Sequence, residues 1–427
     1  MLGSSSQAYR DCPARNAIRI RHSSGWIMAL SWVFAVATMC LGITSQARPM
    51  PLQVYILAGQ SNMQGHADIS TFPSMADDPR TAPILKEMLS ADGTPRVCDR
   101  VWISSIGCAG TRGSEHIEQT GRLTAGFGAS PSKIGPEYTF GLTMAKAARQ
   151  PILIIKTSWG GLSLHTDFRP PSAGPEMINE YTRSQWRQRG LNVDEETAKV
   201  LRNGGVYYRT MIEHVRKVLA DPGRVVPGYD PKQGYRLAGF VWFQGWNDMV
   251  DSWTYADRMK PGGYDEYSRL LAQFIRDVRK DLSAPDLPFV IGVMGVGGLK
   301  AGQTPPQSHF RYAQASPASL PEFQGTVAAV ETAPFWADEL EELHERRRTL
   351  NARLENEFTK EPGLTPEAKQ AARDRAIAAM FTEAELERMK GISNGDYHYL
   401  GAARIIAPIG KAFAEAMLRL QRSRKTR

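Results

Sequence analysis

Four short polar segments of the sequence carry the residue types that ester hydrolysis needs. The first, residues 59–65 (GQSNMQG), follows an apolar run and places Ser61 in a turn flanked by glycines. Where a strand turns into a helix, a serine hydroxyl is exposed and backbone N–H groups can face an oxyanion. Taken alone, this segment is more typical of an ordinary helix start with Ser61 as its N-cap.

The other three segments supply what a serine nucleophile lacks. Residues 158–163 (SWGGLS) offer glycine N–H groups, residues 244–248 (QGWND) offer amide and acidic side chains, and residues 394–401 (NGDYHYLG) contain His398. A serine is a weak nucleophile, and a histidine that a carboxylate orients can take its proton. Ser61 and His398 are therefore predicted to act together as nucleophile and base.

In this order, the four segments resemble those of the SGNH-hydrolase superfamily, and most closely its sialate O-acetylesterase domain family, which overlaps carbohydrate esterase family 6. The resemblance extends over about residues 53–417. It implies hydrolysis of O-acetyl esters on sugars without a metal or another cofactor. It also implies Ser61 as nucleophile, His398 as base, and an oxyanion hole formed by the N–H groups of Ser61 and Gly161 and the side-chain amide of Gln244.

Two departures from the family pattern concern the acid that should orient the histidine. The family usually has Gln-Gly-Glu where this chain has Trp246 in the third place. It also tends to have an aspartate three residues before the histidine, where this chain has Gly395. We predict Asp396 as the third member of the triad, with Asp248 as the alternative. A carbohydrate-binding protein with weakened or lost catalysis is the second functional interpretation.

Aromatic and histidine side chains near the strand ends are further candidates for the site. Trp159 and Trp246 are predicted to bind substrate, because an aromatic face at a strand end can stack on a sugar ring, and core packing is the alternative for both. His66, just past the serine motif, is predicted to line the pocket or to be structural. No histidine has a partner at metal-ligand spacing, so no metal is predicted.

The elements that must position these residues indicate an α/β fold. Apolar runs predict buried parallel strands at residues 52–58, 151–157, 237–243, 287–295 and 325–331. Helical periodicity occurs at residues 207–219, 264–282 and 402–420. With the resemblance, this alternation predicts a three-layer α/β/α sandwich with a five-stranded parallel sheet, the flavodoxin-like fold of SGNH hydrolases. The highly charged residues 336–390 are predicted to form a helical insertion.

The distribution of charge argues against a nucleic-acid partner. The formal net charge is +8, and it is carried entirely by the first 21 and the last nine residues. Because residues 22–418 are neutral overall, no basic binding face is predicted on the folded body. The expected partner is an acetylated glycan, and the sequence does not indicate an oligomeric state.

The first residues predict export. Arginines precede an apolar run at residues 26–43, and small side chains follow at residues 45–47. This pattern predicts a signal peptide, residues 1–47, and a secreted or periplasmic hydrolase domain, residues 48–427. If residues 26–43 are retained, they are long enough to anchor the protein in a membrane. Cys98 and Cys108 remain after cleavage. The sequence allows two interpretations of this pair, a disulfide or two buried thiols.

Overall fold

The computed structural model describes residues 50–108 and 116–425, and a mostly parallel β-sheet lies at its centre. In chain order its strands are β1 (Leu52–Gly59), β2 (Ala67–Asp68), β3 (Val101–Ile106), β4 (Gln119–Arg122), β5 (Lys133–Ile134), β6 (Ile152–Ser158), β7 (Tyr235–Phe243), β8 (Phe289–Val293) and β9 (Val327–Glu331). The central sheet has seven strands in the order β4-β3-β6-β1-β7-β8-β9. All neighbours are parallel except β4, which is antiparallel to β3. β2 and β5 form a separate antiparallel pair.

The five predicted strands correspond to β1, β6, β7, β8 and β9. Every residue of β1 and β6 is buried, as continuous apolarity predicts for strands that are covered on both faces. The sheet has seven strands rather than five because β3 and β4 extend it at one edge. Two serines (Ser104 and Ser105) interrupt the apolar residues of β3, and β4 is polar and partly exposed, so neither strand shows a full apolar run.

Helices connect the strands and flank the sheet. In chain order the α-helices are α1 (Ser61–Gln64), α2 (Ala82–Met88), α3 (Pro136–Ala147), α4 (Glu180–Gln188), α5 (Val193–Asn203), α6 (Val206–Ala220), α7 (Trp246–Val250), α8 (Asp265–Asp281), α9 (Gly298–Ala301), α10 (Gln307–Ala315), α11 (Asp338–Lys360), α12 (Pro366–Met380), α13 (Glu383–Met389) and α14 (Ala403–Lys425). The three helical periodicities of the sequence correspond to α6, α8 and α14.

Two helical layers cover the sheet, one on each face. On one face, Phe413 of α14 packs edge-on against Phe243 of β7, with ring centroids 5.2 Å apart. On the other face, the ring centroid of Phe274 on α8 lies 4.4 Å from that of Trp242, the residue before Phe243 on β7. The ring centroid of Tyr208 on α6 lies 5.5 Å from that of Phe274. Successive residues of β7 thus point to opposite helical layers. This is the predicted three-layer α/β/α sandwich.

The predicted helical insertion is formed by α11, α12 and α13. It has a small apolar core of its own, made of Leu343, Leu350, Leu354, Phe358, Phe381 and Met389. α11 also packs against the 3-10 turn Asp396–Gly401, which follows the insertion in the chain. The insertion therefore leads directly into the turn that carries His398.

Cys98 and Cys108 are both buried free thiols, which decides between the two interpretations of this pair. Burial raises the pKa of the Cys98 thiol to about 12.

Among the residues that the structure describes, no helix combines the length and the apolar composition needed to cross a membrane. The predicted signal peptide, residues 1–47, lies outside the described ranges.

Candidate active site

The carboxyl ends of three adjacent strands bring three of the predicted segments together. β6, β1 and β7 are neighbours in the sheet, and each ends directly before one segment. A Cβ built on Gly160 would lie 3.8 Å from the Cβ of Ser61, so the glycine loop after β6 borders the serine turn after β1. The 3-10 turn Asp396–Gly401, which contains His398, packs against α1. One edge of the sheet thus collects all four segments.

Ser61 begins helix α1 in a turn whose backbone is held on both sides. The N–H of Gln64 donates to the carbonyl of Gln60 at 2.9 Å, and the N–H of Gly65 donates to the carbonyl of Ser61 at 2.9 Å. Gly65 has a φ of 90°, and a Cβ there would lie 2.0 Å from the Cα of Gly135, so only glycine fits this approach. The Ser61 residue is 6% exposed. Its position is therefore set by the fold rather than by a mobile loop.

Two backbone N–H groups can stabilise a negatively charged oxygen at this edge. The N–H groups of Ser61 and Gly161, which the resemblance implies as oxyanion donors, make no hydrogen bond to a described residue. Gly161 has a φ of 76°, and no atom lies within 4 Å of the place where a Cβ would be, so it borders open space. Its carbonyl accepts a hydrogen bond from Nδ2 of Asn247 at 3.0 Å, which helps to fix the loop.

The side-chain amide of Gln244 does not have its predicted role in this structure. Gln244 is 2% exposed, and its Nε2 lies 2.6 Å from Oδ2 of Asp248, 3.1 Å from the carbonyl of Leu162 and 3.2 Å from Oε1 of Gln60. An amide nitrogen has two hydrogens, and these three acceptors engage both of them. Gln244 therefore holds the loops after β1 and β6 together. The sequence places Gln244 at the end of a strand, but it does not show which atoms the side-chain amide contacts.

An amide, rather than a carboxylate, orients His398. Nδ1 of His398 lies 3.0 Å from Oδ1 of Asn394, and the same oxygen accepts the N–H of Gly395 at 2.8 Å. Because that N–H fixes Oδ1 as an acceptor, Nδ1 of His398 must carry its proton. This tautomer leaves the lone pair of Nε2 free to act as a base.

Neither of the predicted acids is hydrogen bonded to His398. Asp396 accepts the N–H of Tyr397 at 2.9 Å within its own turn. Asp248 is fully buried, and its two oxygens accept hydrogen bonds from four donors of the surrounding loops. The structure therefore corrects both assignments and puts Asn394 in the place of the acid. The sequence contains this residue in the same segment as the histidine, but a search for a carboxylate passes over it.

The electrostatic environment keeps the His398 imidazole neutral. Burial and the positive charge of Lys133 together lower its pKa to about 4, although the carboxylate of Asp396 acts in the opposite direction. His398 is therefore in the proton-accepting form above about pH 4.

Within the described ranges, no three His, Cys, Asp or Glu side chains come together as a metal site would require.

This environment predicts an unusually acidic limb in the pH–rate profile. We expect kcat/KM for an acetyl ester to reach half of its plateau near pH 4, the pKa of His398, rather than near about 6.5 as for an ordinary histidine. A general base works only when it is deprotonated, so activity is present above its pKa and is lost as the pH falls through it. Initial rates of p-nitrophenyl acetate hydrolysis as a function of pH measure this limb.

Two variants test the orienting role of Asn394 in the same assay. In Asn394→Asp a carboxylate beside Nδ1 favours the protonated imidazole, so the half-maximal point should move to higher pH. Asp396→Asn is the matched control, because this carboxylate is not hydrogen bonded to His398, and its plateau rate should stay within about twofold of the parent. An Asn394→Asp profile identical to the parent would contradict the pairing of Asn394 with His398.

The two predicted sugar-binding tryptophans lie in different environments. Trp159 is 3% exposed, and its ring packs against Phe168 and Tyr207. The structure therefore places Trp159 in the core, because the ring turns inward at the end of β6, and it offers no free face to a sugar. Trp246 is only partly buried, and its ring lies 6.1 Å from that of Tyr397.

Tyr397 is an aromatic residue of the site that the sequence analysis does not identify. It is 44% exposed, and its ring lies 4.4 Å from the His398 imidazole. Together with Trp246 it forms a pair of aromatic side chains beside the base, which we call the aromatic rim. The sequence feature that could have identified Tyr397 as a site residue is its position directly before His398.

A serine turn, a glycine loop and a neutral histidine at the carboxyl edge of an α/β/α sandwich define a hydrolase of the α/β sandwich class. Within this class, the chain belongs to the family described as "Carbohydrate esterase, sialic acid-specific acetylesterase", whose model matches residues 51–344. The protein is thus a carbohydrate O-acetylesterase by family. No curated protein matches the chain significantly.

Three solved structures are similar to the chain. A protein from Arabidopsis thaliana has 16% identity and a TM-score of 0.35, over 66% of this chain and 86% of that one. A carbohydrate acetylesterase from Xanthomonas citri has 16% identity and a TM-score of 0.36, over 65% of this chain and 49% of that one. NanS has 12% identity and a TM-score of 0.37, over 66% of this chain and 78% of that one.

Proposed function

We propose that this carbohydrate esterase is an exported serine esterase, which removes acetyl groups from carbohydrate through an acetyl-enzyme on Ser61. The observation that carries the proposal is the state of His398. Its Nδ1 proton is held by Asn394, its Nε2 is left as an acceptor, and its turn packs against the helix that Ser61 begins. Among the described residues no hydrogen bond yet joins Ser61 Oγ to His398, and such contacts commonly tighten when substrate binds.

The proposed reaction has two halves. In the first, Nε2 of His398 takes the hydroxyl proton of Ser61 while Oγ attacks the acetyl carbonyl carbon. The N–H groups of Ser61 and Gly161 stabilise the oxyanion, and the C–O bond to the sugar then breaks as Nε2 returns the proton to the sugar oxygen. In the second half Nε2 takes a proton from a water molecule whose oxygen attacks the acetyl carbon. The bond between that carbon and Ser61 Oγ then breaks as Nε2 returns the proton to Oγ, and acetate is released.

The amide partner of His398 affects this mechanism in a definite way. Asn394 fixes the tautomer and the ring direction, as a triad carboxylate does. It adds no negative charge, so it cannot offset the positive charge of the imidazolium that forms during attack. The base therefore depends on orientation, and its lowered pKa makes it a weak proton acceptor that is fully deprotonated at neutral pH.

The aromatic rim supports a sugar as the alcohol part of the ester. The ring of Tyr397 lies against the His398 imidazole, and Trp246 lies beside Tyr397. Aromatic faces pack well against the apolar C–H face of a pyranose ring while leaving its hydroxyls hydrated. Which glycan carries the acetyl group, O-acetylated sialic acid, acetylated xylan or another, is left to the substrate assay.

Export is also part of this proposal. Residues 26–43 form an apolar run after several arginines, and residues 45–47 offer the small side chains that a signal peptidase requires. Because these residues lie outside the described ranges, the support for export comes from the sequence.

The substrate assay measures acetate release from O-acetylated sialic acid and from acetylated xylan. We expect release from at least one of them, and Tyr397→Ala should raise KM for that sugar ester by up to about tenfold through lost stacking. The same variant should leave KM for p-nitrophenyl acetate unchanged, since that ester has no sugar. Tyr312→Ala, which truncates a more exposed tyrosine on α10, is the matched control.

The results separate the two functional interpretations of the sequence. Release that requires Ser61 supports the esterase. Binding of these glycans without acetate release from any of them would favour a carbohydrate-binding protein. An equal rise in KM for both ester types in Tyr397→Ala would show that Tyr397 supports His398 rather than the sugar.

A further inference from the structure

A second histidine is stacked on the base. The imidazole rings of His66 and His398 have centroids 3.7 Å apart and planes within 2° of parallel. At this separation the two parallel rings are in van der Waals contact face to face. His66 therefore covers one entire face of His398, while Asn394 holds its edge through Nδ1.

The backbone around His66 is tied to the turn that carries the base. The hydroxyl oxygen of Ser393 lies 3.3 Å from the carbonyl oxygen of His66 and accepts the N–H of Asp68 at 3.3 Å. The same hydroxyl contacts the carbonyl of Gly401 at 2.7 Å, at the end of the 3-10 turn. The stack is thus set by connections between two elements that are more than 300 residues apart in the chain.

The ring nitrogens of His66 do not explain its presence. Both are buried, and neither has a hydrogen-bond partner among the described residues. Burial lowers the pKa of His66 to about 3, together with the proximity of His398 and the positive charges of Lys133 and Lys156. His66 is therefore a neutral ring that contacts the site through its face rather than through a hydrogen bond.

We propose that His66 is a positioning residue for the base, which acts through its aromatic face. It fixes the plane of the His398 ring and keeps water from one face of that ring. This inference rests on the proposed serine mechanism and adds a residue to it.

The surrounding charges belong to other elements and stay in place when His66 is changed. Lys133 and Lys156 disfavour a positive charge on the stacked pair, and Asp396 favours one on His398. A change in the titration of His398 after substitution of His66 therefore reports the loss of the stacked ring and not the loss of a charge.

The experiment compares His66→Phe, which keeps an aromatic face, with His66→Ala, which removes it. His66→Phe should keep kcat for p-nitrophenyl acetate within about threefold, and His66→Ala should lower it about tenfold with little change in KM. In His66→Ala the acid limb should also move to higher pH, because water reaches the His398 ring and favours its charged form. His116→Ala, at an exposed position, is the control.

The titration of His398, followed by nitrogen-15 NMR of its imidazole, gives a readout that does not need turnover. It should shift upward in His66→Ala and stay unchanged in His66→Phe, even if the proposed serine mechanism fails. Equal losses in the two variants would overturn the proposal by assigning the effect to the His66 nitrogens. Unchanged kinetics and titration in both variants would overturn the proposal, because His66 would then be only a packing residue. Thermal unfolding of each variant checks that the variant folds.

Discussion

Ser61→Ala is expected to lower kcat for acetyl ester hydrolysis by about 10⁴- to 10⁶-fold, because it removes the atom that forms the acetyl-enzyme. The fold should tolerate this change. Ser61 Oγ makes no hydrogen bond to a described residue, and the backbone bonds of its turn do not involve the side chain. The residual rate would come from the oxyanion donors and from substrate binding, which remain in the variant.

The measurement is the single-turnover and steady-state rate of p-nitrophenyl acetate hydrolysis, with thermal unfolding of each variant measured in parallel. Ser70→Ala is the matched control, because this serine is exposed, lies nine residues further along the same segment and should change neither quantity. A Ser61→Ala protein with the parental rate would remove Ser61 from the mechanism. A normal melting temperature is also required, since a loss of rate from an unfolded variant would say nothing about chemistry.

The architecture could be predicted well because its signals are local and strong. Strands buried on both faces are continuous apolar runs, and β1 and β6 are buried over their whole length. The amphipathic helix α8 and the charged insertion are recognised in the same way from periodicity. β4 was missed because an edge strand of four polar, half-exposed residues has no pattern that distinguishes it from a loop.

The site could be predicted at the level of segments but not at the level of atoms. Ser61, Gly161 and His398 were identified because their segments follow strands or precede a helix, and parallel strands bring their carboxyl ends to one edge. The partner of His398 depends on the path of a single turn, in which Asn394 reaches Nδ1 and Asp396 does not. Distances of this kind are set by dihedral angles, and residue spacing does not encode them.

Polar residues at the strand ends show the same limit. The family resemblance implies that the Gln244 amide faces an oxyanion, whereas its hydrogen-bond acceptors show that it joins neighbouring loops. For Trp159 the direction of the ring decides between core and pocket, and it turns into the core. Family likeness raised the expectation of an active role for Gln244, and the position at a strand end did so for Trp159. The contacts of this chain gave both residues structural roles.

An ion pair beneath the nucleophile links the stability of the fold to its site. Lys156 on β6 and Glu137 on α3 are both fully buried, with Nζ 2.7 Å from Oε2. The other two ammonium hydrogens reach the carbonyls of Gln64 and Phe127, each at 2.7 Å. Gln64 is the last residue of the helix that Ser61 begins, so this cation fixes the far end of the nucleophile turn. Burial raises the pKa of Glu137, and the charge of Lys156 opposes that rise.

Lys156→Met is therefore expected to lower the free energy of unfolding by about 3–5 kcal/mol, because it leaves the Glu137 carboxylate buried without its cation. Without Lys156 the pKa of Glu137 in the folded state lies further above its unfolded value, so the variant should lose stability as pH rises through this interval and regain it at lower pH. Denaturant unfolding at several pH values measures both effects.

Lys156→Met combined with Glu137→Gln should recover much of the loss at neutral pH, since no charge is then buried alone. Lys146→Met removes a lysine whose ion pair with Glu87 is solvent-exposed, and should change stability by less than about 1 kcal/mol. If Lys156→Met were as harmless as this control, the buried pair would not hold the nucleophile turn, and the rate of that variant should then equal the parental rate.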